Sequence, residues 1–199
     1  MVQRLGCHTP AMLRVAAAVL VALAVGGCGG SDDEAPRPAP THAVIVQGPL
    51  CDLLPSGDDP GAPATLASKP ADVVLTWIPV ITTFEAAVRA ARMGPELDGV
   101  TILAPTDDAF NRAFSRARLD RLLLSRQREL RALLEAHVIE GALSLADLRG
   151  AESVTTLAGK TIDVTPASRM VRFEDRAQTV CADYRASGAR IHVIDGLLR

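Results

Sequence analysis

The chain has 199 residues, 48% of them hydrophobic and 3% aromatic, with 21 basic side chains against 23 acidic ones and a net charge of −2. That balance argues against a nucleic-acid partner, which calls for a basic groove laced with aromatics. Residues 1–27 read as a signal peptide: Arg4 and Arg14 give a positive start, and Val15 to Val25 are eleven apolar residues in a row. Eleven residues make roughly 16 Å of helix against a hydrocarbon layer of about 30 Å, too short for a permanent span. Val25-Gly-Gly-Cys28 looks like a bacterial lipobox, which would make Cys28 the acylated amino terminus of the processed chain. Secretory cleavage without lipidation is the plainer alternative. Two or more acyl chains anchor stably where one binds only reversibly. Residues 28–43, with Ser31-Asp-Asp-Glu34 and Pro36-Arg-Pro-Ala-Pro40, hold too little apolar matter to bury and read as a flexible, Pro-rich tether.

Residues 44–199 suffice for one domain with its own core and leave no room for a second. An N-terminal arm, Leu53 to Asp72, has no helical or strand period. Thr82-Thr-Phe-Glu85 then reads as a capping box opening a helix through Met93, with Phe84, Val88 and Ala91 turned inward and Gly94-Pro95 as its stop. Thr101 to Ala104 reads as a buried strand, and Pro105 leads to Thr106, whose hydroxyl can cap a helix opening with Asp107 and Asp108. Seven arginines, Arg112, Arg116, Arg118, Arg121, Arg126, Arg128 and Arg131, alternate with apolar positions. They read as a solvated helical face, with a patch for an anionic ligand as the second reading.

Leu119, Leu122, Leu123, Leu130, Leu133 and Leu134 supply the helical core stripes, divided near Ser125. Ser144-Leu-Ala-Asp147 repeats the capping pattern for a short helix ended by Gly150. Four strands follow, Thr161 to Thr165, Arg169 to Glu174, Thr179 to Ala182 and Arg190 to Asp195, with turns placed at Pro166, Asp175 and Gly188.

Reactive side chains are few. Cys7 lies in the signal peptide and Cys28 in the lipobox, so Cys51 and Cys181 remain for the domain. In an exported protein the pair suits a disulfide, with two buried free thiols or an intermolecular bridge as alternatives. Their spacing excludes a C-x-x-C redox site, and no zinc pattern accompanies them. His137 follows an apolar helix and reads as a half-buried structural imidazole bonded to the next segment. His192 alternates with Ile191 and Val193 in a strand and reads as outward-facing. Asp107 and Asp108 are neighbours in a first helical turn, so they point apart and serve the helix end better than a carboxylate pair. No nucleophile elbow, phosphate loop, zinc spacing or calcium loop is present in the sequence, so the expectation is no enzyme, no metal and no cofactor.

Thr101-Ile-Leu-Ala-Pro-Thr-Asp-Asp-Ala-Phe110 and Ile191-His-Val-Ile-Asp-Gly-Leu-Leu198 resemble the two signature blocks of the fasciclin-like (FAS1) domain family. Between them, Leu130 to Gly141, Ala146-Asp-Leu148 and Val154 to Val164 resemble its central helix, its His-containing junction and its hairpin, in family order. The resemblance covers Val80 to Leu198. Ala136 departs from it, standing where the family usually has an aromatic beside its central histidine, and Gly94 to Val100 is shorter than usual. The resemblance implies an α+β fold, a compact β-sandwich-like core with helices packed along its edge. Gly48-Pro-Leu-Cys51 and Val180-Cys181 are similar to a subgroup, the mycobacterial secreted and lipoprotein antigens, and imply a Cys51–Cys181 disulfide.

The function so implied is a non-enzymatic adhesion or extracellular interaction module. It would be a monomeric domain, lipid-anchored at a bacterial cell membrane and facing outside the cytoplasm. Its partner would be an extracellular protein or glycan met around Thr106, Asp107, Asp108 and Asp195. A carrier of a small apolar ligand and a structural cell-envelope protein are the alternatives.

Overall fold

The computed structural model describes residues 45–198. The signal peptide, Cys28 and the tether lie outside the described residues. The N-terminal arm is less irregular than its sequence suggests. A 3-10 turn at Cys51–Leu53 is followed by the short helices α1 (Pro63–Leu66) and α2 (Ala71–Leu75). Each is too short for a hydrophobic period to show, and Pro63 opens α1 where its missing N–H costs nothing.

Helix α3 (Thr82–Ala91) ends two residues before the expected Met93, because Arg92 takes a left-handed conformation, φ 56°, and turns the chain. A 3-10 turn at Gly94–Glu96 leads to strand β1 (Val100–Pro105). Helices α4 (Asp107–Ala113), α5 (Arg116–Ser125) and α6 (Gln127–Glu135) follow, with the α5–α6 break at Ser125 as read from sequence. Strand β2 (Val138–Glu140), helix α7 (Leu145–Gly150) and strands β3 (Ser153–Thr155), β4 (Thr161–Ala167), β5 (Met170–Phe173), β6 (Ala177–Ala186) and β7 (Ala189–Ile194) complete the order. Pro166 belongs to β4 rather than to a turn. β3 pairs only with Thr161, Ile162 and Asp163, so the far part of β4 is an edge where proline is tolerated. The reversal is made one residue past β4 by Ser168 at φ 55°.

The seven strands form one sheet in the order β2-β1-β7-β6-β5-β4-β3. β1 and β7 are parallel, from Thr101 opposite Arg190 to Pro105 opposite Ile194, while the other pairs are antiparallel. The sheet curls until its ends meet, Ile139 bridging to Thr156 and the Leu157 N–H donating to the Val138 carbonyl at 2.7 Å. The α+β class holds, and the sandwich-like core is this single curled sheet. Apolar layers lie on both of its faces. One gathers Phe84, Phe110, Leu130, Leu134, Ile102 and Ile191, and the other Leu103, Leu148, Ile162, Val171, Phe173 and Ile194.

The arm is fixed to β6. Gln47 and Ala182 exchange backbone hydrogen bonds at 3.1 and 2.8 Å, and Cys51 is bonded to Cys181 across 130 residues. Gly48, at φ 139°, is needed there because a Cβ would come within 2.3 Å of the Val180 carbonyl oxygen. On the chain-entropy model a loop of that length makes the bond worth up to about 5 kcal/mol.

Candidate functional site

At the β1–α4 corner the strand ends buried and the chain turns into a helix whose first N–H groups need acceptors. Thr106 supplies one, its hydroxyl accepting from the Ala109 N–H at 3.2 Å, and is itself buried. Its own N–H donates to the Ile194 carbonyl at 2.9 Å, which ties the corner to the end of β7. Ala109 and Phe110 turn into the core as the sequence indicates.

Asp107 acts on a different helix. Its carboxylate accepts from the Thr82 N–H at 3.2 Å, the Thr82 hydroxyl at 2.9 Å and the Thr83 N–H at 2.6 Å. It is therefore the cap of α3, delivered from 25 residues downstream, and the capping box expected at Thr82 to Glu85 does not form. The residue in the N-cap slot is Ile81, which offers no acceptor, and Glu85 pairs with Arg89 instead. Asp108, one position on, is exposed.

Asp195 is exposed at the end of β7, yet its carboxylate accepts from the Gln178 N–H at 2.7 Å and its carbonyl from the Arg112 guanidinium. Arg112, Arg176 and Asp195 line a cleft of about 490 Å³ between α4 and the segment after β7. The structure thus brings Asp195 beside α4, leaves Asp108 on that helix's exposed side, and turns Thr106 and Asp107 to internal tasks.

Both domain histidines are buried. The His137 Nδ1–H donates to the Leu133 carbonyl at 2.7 Å, and Nε2 accepts from the Leu198 N–H at 3.0 Å. A carbonyl can only accept and an amide can only donate, so the partners fix the neutral tautomer. Burial lowers the pKa from 6.5 to about 4. The ring is fully rather than half buried, and it joins α6 to the last turn of chain rather than to the next segment.

His192 does not face outward. Its Nε2–H donates to the Leu143 carbonyl at 3.0 Å, Nδ1 accepts from the Asp183 N–H at 3.3 Å, and burial lowers its pKa. Alternation along β7 misleads because both faces of the sheet carry apolar layers.

Asp183 escaped the sequence reading. It sits at φ 70° inside β6, accepts from the Leu145 N–H that opens α7 at 2.9 Å, and lies 3.7 Å from the Arg190 guanidinium. An acidic residue interrupting a long strand was the available signal. Ser144 and Asp147 complete the capping box of α7 as expected.

The arginines of α5 and α6 remain outside. Arg118 stands 5.4 Å over the Phe114 ring and 3.9 Å from Glu129, and Arg131 pairs with Glu96 and Glu135. Among the described residues no group of three or more His, Cys, Asp or Glu side chains is placed to hold a metal ion.

The family model for the fasciclin domain matches residues 79–199, the stretch that holds the corner, both histidines and the sheet. The chain belongs to the fasciclin domain family. It is 33% identical over 121 residues to protein sll1483 of Synechocystis sp., a match covering 59% of this chain and 66% of that protein. It is 31% identical over 119 residues to the transforming growth factor-beta-induced protein ig-h3 of Sus scrofa, covering 58% of this chain and 17% of that protein. The chain thus spans less than two thirds of the length of either relative. A FAS1 domain pair from the insect cell adhesion molecule Fasciclin I aligns over 60% of this chain and 45% of its own, with a TM-score of 0.45 and 21% identity. Within this fasciclin domain the cap at Thr106 and the His137 bridge are parts of the frame, and the charges of Asp108, Arg116, Arg121 and Arg128 on α4, α5 and α6 face solvent.

Proposed function

We propose that this fasciclin domain is a non-enzymatic interaction module that binds an extracellular protein or glycan through the polar surface between α4 and the end of β7. Acyl chains on Cys28 hold it at the outer side of a bacterial membrane, and residues 28–43 give it reach. Gly48-Pro-Leu-Cys51 bonded to Cys181 supports grouping it with the mycobacterial secreted and lipoprotein antigens.

One observation carries the reading. The groups at the corner that could do chemistry are already engaged by backbone: both nitrogens of each histidine, both oxygens of Asp107 and the Thr106 hydroxyl. What they leave facing solvent is a charged cleft with Arg112, Arg176 and Asp195, beside the exposed Asp108. A surface of that kind recognises by complementarity, and anchoring raises its local concentration. The test is a binding panel of surface glycans and matrix proteins against the chain and its Asp108→Lys/Arg176→Glu variant. A saturable partner, bound about tenfold more weakly by a variant with unchanged melting temperature, supports the reading. A panel left unbound at high micromolar concentration sinks it.

A further inference from the structure

We infer that the cleft between α5, α6 and the end of the chain binds a single-chain anionic amphiphile of the fatty-acid class. Two neighbouring hollows, each of about 280 Å³, share Arg118, Leu122 and Glu129 in their walls. The apolar one is walled by Phe114, Leu122, Leu133, Ala136 and Leu198, and suits an alkyl chain. The basic one is rimmed by Arg118, Arg121 and Arg126 against the single acid Glu129, and suits an anion. An apolar hollow alone would take any hydrophobe, and a basic rim alone any anion. Their junction selects a molecule that is both.

Charge across the domain strengthens the choice. The stretch of α5 and α6, residues 116–135, holds six arginines against three acids, whereas the rest of residues 45–198 holds eleven basic side chains against seventeen acidic ones. An anion is therefore favoured at this helical pair over the net-acidic remainder of the domain. Arg118 pairs only loosely with Glu129, at 3.9 Å, and Arg121 and Arg126 have no acidic partner among the described residues. Their guanidinium groups are open to a carboxylate, for which bidentate bonding is favourable.

Arg118 also lies over the Phe114 ring at 5.4 Å, which marks the boundary where a headgroup would stop and a chain begin. Ala136 contributes only a methyl to the apolar wall, so this position leaves the hollow open. Leu198 lines it too, its backbone N–H held by His137. The occupant is a free amphiphile rather than a bilayer. The apolar wall includes the buried Leu122 and Leu198, while Leu124, 82% exposed on α5, lies outside it and is the residue a flat membrane would engage.

Calorimetric titration of the chain with sodium dodecanoate, below its micelle concentration, tests the site, with acetate, dodecanol and phosphatidylglycerol vesicles as comparators. Saturable one-to-one binding is expected, weakened about tenfold in Arg121→Gln/Arg126→Gln and in Ala136→Phe, and unchanged in Leu124→Ser. Should Ala136→Phe fail to fold, Ala132→Phe on the exposed wall takes its place. Equal binding of acetate, or full binding by the folded phenylalanine variant, overturns the inference. So does binding confined to vesicles and lost in Leu124→Ser, which would mean membrane docking. None of these outcomes touches the α4 surface, so the adhesive reading stands or falls separately.

Discussion

At the β1–α4 corner polar side chains face the frame of the domain, and along α5 and α6 they face water. Asp107 and Thr106 end two helices' unmet N–H groups, whereas Arg116, Arg121 and Arg128 project from the surface. The same chemical endowment is structural in one place and solvent-facing in the other. Whether a partner already lies inside the protein decides which. The corner also carries the stretches that mark the family, so likeness to the family locates the frame and is silent on what the domain binds.

The contrast breaks most visibly if the corner tolerates what the helical pair tolerates. Phe110→Ala should cost about 3 to 5 kcal/mol in denaturant unfolding, while Leu124→Ala, 82% exposed on α5, should change stability by less than about 0.5 kcal/mol. Comparable losses would erase the distinction.

Acid gives the next largest effect. His137 is neutral in the fold down to about pH 4, against an ordinary value of 6.5. Above 6.5 both folded and unfolded states hold it neutral, and its full contribution is present. Between 6.5 and 4 the unfolded chain takes up a proton that the folded one refuses, so stability falls with pH, by about 3 kcal/mol in all, and then levels off. His192 moves the same way. Urea midpoints from pH 7 to pH 4.5 should decline, and more shallowly in His137→Gln. At pH 7, His137→Ala should lose roughly 1 to 3 kcal/mol. A flat profile would place the ring in water.

Asp107→Ala sharpens the comparison at smaller scale. It should lower stability by about 1 to 2 kcal/mol, with faster amide exchange in the first turn of α3, which opens at Thr82, 25 residues away. Asp108→Ala, beside it but exposed, should be neutral in the same assay. Smallest of all, Arg121→Gln/Arg128→Gln should leave the melting temperature within about 2 °C, since exposed charges contribute little to folding. A larger drop would mean that the helical pair is held together by its charges.

Much of the architecture was legible because its signals are local. A strand followed by Thr-Asp-Asp, a Ser-x-x-Asp box before α7 and paired leucines on either side of Ser125 each fit within a few residues. The site was less legible because its bonds are not local. Asp107 looks like the start of its own helix, and only the folded chain shows that it serves α3. His192 alternates as an outward residue would, and only a sheet covered on both faces buries it. β2, three residues long, carries no readable period, and Asp183 looks like a break in β6 until α7 is placed against it.

The last strand in sequence lies inside the sheet, not at its rim, between β1 and β6. It pairs with β1 on one side and β6 on the other, so the ladder between the two halves of the sheet runs through it, and the Leu198 N–H that His137 accepts follows just after it. Its pairing with β1 brings together segments far apart in sequence, the kind of contact that forms late. A lesion in β7 should therefore open the sheet from its middle and not fray it from a rim.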